Sequence, residues 1–192
     1  MTRAERLRTV LADADARALS RRYFISNGFD GTLTSIGVVV GAFLSGVSDG
    51  TTVFAIGAGG AVGLGTSGLW SVWEIERAEQ QAETLQVEAA MLRDLGDTVV
   101  ARRKRDVRVV NAVASGIGPI IGVLVPLSPF LVSPELLSLA EATVLAVGLG
   151  VSLLFAFGAY LGSLSKQSWY VAGIRMGLAG LVVAALNIVL GA

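Results

Sequence analysis

Between Arg22 and Asp49 the chain carries one charged residue, Asp30, in the stretch FISNGFDGTLTSIGVVVGA. A carboxylate near the centre of a bilayer costs about 2.5–3.5 kcal/mol on insertion scales and less near the interface. Asp30 is therefore expected to face a cavity or a partner. Asn27, Thr32, Thr34 and Ser35 add oxygen donors around it, a set suited to a hard or borderline cation. The competing reading is that Asp30 opens a helix and accepts hydrogen bonds from the unpaired amides of its first turn.

A second acidic group follows at Glu76, Glu79 and Glu83. With successive helical residues 100° apart, these three fall within about 60° of one another, while Glu74 and Glu88 fall on the opposite side. Like charges at this spacing repel unless a cation sits among them. The stripe could thus collect divalent metal, or be a solvated face balanced in part by Arg77. The chain has no cysteine and no histidine, which excludes disulfides, thiolate and imidazole ligands, and the usual Ser-His-Asp triad. Metal ligands are limited to oxygen and to the thioethers of three methionines. Met91, Met176 and Glu141 are weaker candidates.

These residues need a scaffold, and composition points to a membrane. Of 192 residues 53% are hydrophobic and 16% charged, against roughly 25% charged in soluble domains, and the mean hydropathy is +0.68. Residues 1–22 form a charged leader with no signal-peptide core, readable either as an amphipathic surface helix bearing Leu7, Val10 and Leu11 or as a solvated segment. Residues 23–73 are predicted to hold two transmembrane helices, the second rich in glycine and ending at Trp70 and Trp73, an interfacial signal. Residues 74–108 form a polar segment, acidic then basic, expected as one or two soluble helices. Residues 109–192 hold three further spans, at 109–132, 139–164 and 171–190, with a kink or early exit near Pro126. The predicted class is all-α, a polytopic membrane protein with five transmembrane helices and a short cytosolic helical insert.

All 15 Lys and Arg residues lie in the leader, in the segment between spans two and three, or near the loop between spans four and five. By the positive-inside rule this places the N-terminus inside and the C-terminus outside. Glycines 57, 59, 60, 63, 65 and 68 allow close helix approach. The run from Arg102 to Arg105 reads as a topology determinant or an anionic-lipid contact, and no nucleic-acid partner is expected from a net charge of zero.

The stretch Asn27, Gly28, Phe29, Asp30, Gly31, Thr32, Leu33, Thr34, followed by Val38, Val39, Val40 and Gly41, resembles the first-helix signature of the vacuolar iron transporters. The likeness continues in the glycine-rich second span, in the glutamates after it, and in the run Leu124, Pro126, Leu127, Pro129, Phe130. Where that family usually carries Ser-Met and Glu-Tyr, this chain reads Gly65, Thr66, Ser67, Gly68, Leu69, Trp70. The resemblance implies a homodimer that exports Fe(II) or Mn(II) from the cytoplasm in exchange for protons. Asp30 would be the intramembrane metal ligand and Glu76, Glu79 and Glu83 would capture the ion. The metal would be cargo, with no cofactor and no enzymatic step, in a prokaryotic cytoplasmic membrane with lipid around it. The alternative is a non-transporting membrane assembly or lipid-interacting protein on the same fold, which predicts no metal binding.

Overall fold

The computed structural model describes residues 12–91, 99–133 and 135–191, which are helical apart from short connections. We label the helices α1 (Ala14–Leu44), α2 (Gly50–Met91), α3 (Val99–Leu127), α4 (Leu139–Leu164) and α5 (Trp169–Leu190), with a 3-10 turn at Ser128–Val132. Side chains set their starts. Asp13 accepts hydrogen bonds from the amides of Asp15 and Ala16 at 3.0 and 3.1 Å. Asp49 accepts from the amides of Thr51 and Thr52 at 3.2 and 2.9 Å, and from both of their hydroxyls at 2.6 Å. Ser138 and Glu141 form a reciprocal capping box on α4, so Glu141 is occupied in starting that helix.

Four helical segments are long and apolar enough to cross a membrane: α2, α4, α5, and α3 continued into the 3-10 turn. With 31 residues α1 has the length, but Asn27, Asp30, Thr32, Thr34 and Ser35 dilute its apolar character. Of the five spans expected from hydropathy, these four are found, and the expected first span, in α1, falls short of one because the helix is polar at its middle.

The polar segment 74–108, expected as one or two soluble helices, is continuous with the membrane helices on either side. At 42 residues and 1.5 Å per residue, α2 is about 63 Å long, twice the hydrocarbon thickness of about 30 Å. It runs without interruption from the apolar stretch through Trp73 into the glutamates, because the residues there are good helix formers and none breaks the helix. In the same way α3 carries the basic run in its opening turns. The segment is thus the projecting ends of two membrane helices, with 92–98 outside the described residues. The leader is also revised: from Ala14 onward it is continuous with α1, while Leu7, Val10 and Leu11 lie outside the described residues.

At the centre of the bundle is α3, with α1 and α2 packed along it, while α5 packs on α4. The approach of α1 to α3 depends on glycine: a Cβ built on Gly31 would lie 2.7 Å from the Cα of Pro119, a clash with rigid backbone. Val39, Val53, Val123, Leu127 and Phe130 fill the core toward the α1–α2 connection. Large apolar side chains on the outside, among them Val144, Leu181 and Val189, suit contact with lipid. Pro119 has no N–H, which frees the carbonyl of Ser115 one turn earlier. Asn27 of α1 fills that vacancy, its Nδ2 donating to the Ser115 carbonyl at 3.4 Å.

Candidate ion site and buried polar network

Asp30 lies sixteen residues inside α1, which removes the reading of Asp30 as a helix N-cap; Asp13 has that role. Counting along the helix axis, it is about 12 Å beyond Arg22. Its carboxylate is exposed on the surface of the bundle. It makes no hydrogen bond or ion pair with a described residue. Ser26 and Thr34, one turn to either side, are exposed as well, so the three form a polar stripe at i, i+4 spacing. The Thr34 hydroxyl donates to the backbone carbonyl of Asp30 at 2.8 Å. Thr32 and Ser35 turn the other way, wholly buried, with the Ser35 hydroxyl donating to the Val123 carbonyl at 3.2 Å.

The three glutamates share a helical face but not an environment. Glu76 is buried, at 6% exposure, between α1, α2 and α3. Its Oε1 accepts from Asn111 Nδ2 at 3.0 Å and from the Tyr23 hydroxyl at 3.3 Å, and its Oε2 from Gln80 Nε2 at 3.4 Å. Glu83 pairs with Lys104 at 2.8 Å. Glu79 is exposed. Among the described residues no three acidic side chains converge on a point where a metal ion could be held. Among the described residues, Asp30 and the glutamates are thus separate groups.

The buried cluster around Glu76 is the feature that sequence reasoning missed. Ser20 donates to Asn111 Oδ1 at 2.6 Å, and Gln80 also reaches the Lys104 carbonyl at 3.0 Å. One turn deeper, Asn27 donates to the Ser115 hydroxyl and Ser115 donates to the Gly68 carbonyl at 2.8 Å. Two polar links thus join α1, α3 and α2 at successive levels. The available signal was Asn111 and Ser115 at i, i+4 in the otherwise apolar run VVNAVASGIG, since polar groups at such depth need partners. Nearer the helix ends, Asp13 forms an ion pair with Arg103. The amide of Ala16, aided by the Arg103 charge, holds the Asp13 carboxyl below its usual range.

Four helical segments long and apolar enough to cross a membrane define an integral membrane protein. Residues 71–192 match the VIT family, and the chain belongs to that family, the vacuolar iron transporters, which are membrane metal transporters and not enzymes. The matched region starts near the end of the apolar part of α2, so Asp30 lies outside it. An uncharacterized protein of Methanocaldococcus jannaschii is similar over a longer stretch, 30% identical over 168 residues, covering 86% of this chain and 85% of its own length.

Proposed function

We propose that the protein exports Fe(II) or Mn(II) from the cytoplasm by proton antiport, with Asp30 as the intramembrane ligand. The observation that carries this reading is the Asp30 carboxylate, exposed on a membrane helix and without a partner among the described residues. Such a group is costly against lipid. A second copy of the chain laid against the Ser26–Asp30–Thr34 stripe would cover it and bring two carboxylates to one path, which favours a homodimer with α1 as its fifth span. Glu79, with Glu76 and Glu83, would gather the ion at the polar end. Protonating a carboxylate removes the charge that holds the metal, so a proton arriving from the far side displaces it. The distribution of Lys and Arg supports an N-terminus inside and a C-terminus outside, and the archaeal relative supports a prokaryotic cytoplasmic membrane.

The test is uptake of Fe(II) and Mn(II) into proteoliposomes under an imposed pH gradient. Native protein should show gradient-dependent uptake, abolished by Asp30→Asn and weakened at low metal concentration by Glu79→Gln. Unchanged uptake in a well-expressed Asp30→Asn protein would sink this reading.

A second reading, a non-transporting membrane assembly on the same fold, is favoured by one observation: Glu76 is hydrogen-bonded on both oxygens and Glu83 is paired with Lys104. It predicts that the folded native protein binds neither metal.

A further inference from the structure

The projecting ends of α2 and α3 enclose an open groove of about 430 Å³. Arg77 lines it from α2, and Lys104, Arg105 and Arg108 line it from α3. Not all of these charges are equally compensated. Lys104 is held by Glu83 at 2.8 Å. Arg77 has a looser contact with Glu74 at 3.6 Å, both side chains being about half exposed, at 60% and 48%. Glu88 lines the end of the groove farther from the apolar helices.

Arg105 and Arg108 are different. Arg105 is exposed and pairs with no described residue. The Arg108 guanidinium sits over the Trp73 ring, 4.5 Å from its centroid, and its Nε is buried with no hydrogen-bond partner among the described residues. An N–H buried without an acceptor is costly and marks a place where one is missing. Arg77 and Arg105 stand close enough to add their charge to that of Arg108, and Glu74 and Glu76 oppose them more weakly. Trp73 closes the uncharged stretch of α2, at the level where tryptophan meets lipid headgroups. A guanidinium fork held flat by an aromatic ring matches the paired oxygens of a phosphate.

We infer that Arg105 and Arg108, with Arg77 across the groove, form a binding site for a phosphate group presented by the headgroup of an anionic phospholipid. The lipid belongs to the leaflet at the polar end of the bundle, and the site requires only that the helices span the membrane, whether or not a metal is carried.

The experiment uses the purified full chain in a neutral detergent, with thermal unfolding followed as phosphatidylglycerol, phosphatidylcholine or inorganic phosphate is added. Phosphatidylglycerol should raise the unfolding temperature saturably, and phosphatidylcholine should not. Arg105→Gln, at an exposed position where folding is not at stake, should weaken the effect, and Arg105→Gln with Arg108→Gln should weaken it by about tenfold or more, a loss of one order in affinity. Arg175→Gln, outside the groove, should leave it intact. Inorganic phosphate acting at millimolar level with the same arginine dependence supports the phosphate site and makes free phosphate its source. Equal effects of the two lipids, or an unaltered response in the double variant, overturn the proposal. Metal uptake enters none of these readings, so its failure is read separately.

Discussion

Nδ2 of Asn111 donates to Oε1 of Glu76 across 3.0 Å, and both side chains are buried, Asn111 completely and Glu76 to 6% exposure. This contact joins α3 to α2 below the polar ends of the bundle, and Ser20 and Tyr23 extend it to α1. A carboxylate so enclosed depends on its donors, because a hydrogen bond to a charged group contributes more than one between neutral groups.

Asn111→Ala removes the shortest of the bonds to Glu76 and should destabilise the protein by about 1.5–3 kcal/mol, read as a lower unfolding temperature in detergent. Adding Glu76→Gln to it should cost less than the sum of the two single changes, because the carboxylate that lost its donor is then neutral. Additive losses would show that the two side chains are not coupled.

Gly31→Val places a branched side chain where a Cβ alone already lies 2.7 Å from the Pro119 backbone. Backbone cannot yield as a flexible side chain does, so α1 must move away from α3, at a cost of about 1–3 kcal/mol. Size-exclusion profiles should lose the monodisperse peak, whereas Gly59→Ala, where an added Cβ meets nothing within 4 Å of its own chain, should fold normally.

Hydrogen bonds from the hydroxyls and amides of Thr51 and Thr52 lower the Asp49 carboxyl to about 2. Because the folded value lies below the unfolded value of about 3.9, the stabilisation is complete above the unfolded value and disappears as pH falls through the folded one. Thermal unfolding between pH 5 and pH 2 should therefore show a larger loss in native protein than in Asp49→Asn, in which the lowered carboxyls of Asp13 and Glu141 still titrate. Parallel curves would remove Asp49 as the cause.

Lys104 and Glu83 are partly exposed, at 29% and 63%, so breaking their pair should change stability by less than about 1 kcal/mol. Its effect on metal should be larger. Lys104→Gln releases the Glu83 carboxylate and removes a cation from the α2 face, and Mn(II) binding measured by calorimetry should tighten by roughly threefold, about 0.7 kcal/mol. No change would mean that Glu83 takes no part in metal capture.

Much of the scaffold is legible in the order of residues. The stretches at 139–164 and 171–190 are uncharged or nearly so and glycine-spaced, and the helices found there, Leu139–Leu164 and Trp169–Leu190, follow because backbone groups in lipid must be paired within the helix itself. The end of α3 at Leu127, just after Pro126, was readable for a similar reason. The boundary between membrane helix and polar segment was not readable. Charge changes abruptly at Glu74, but helix propensity does not, and the helix obeys propensity.

For the site, residue types and spacing are enough to single out Asp30 as an intramembrane carboxylate and to align Glu76, Glu79 and Glu83 on one helical face. They cannot say which neighbour each side chain meets, because 3.6-residue periodicity orders side chains around one helix and carries no information about the helix opposite. Packing against α3 turns Thr32 and Ser35 inward, leaves Asp30 facing out, buries Glu76 on Asn111, and sets Lys104 beside Glu83. Those outcomes follow from the close approach of α1 to α3 at Gly31 and Pro119 and of α2 to α3 at Gly68 and Ser115, contacts between residues far apart in the chain that exist only once the helices have packed.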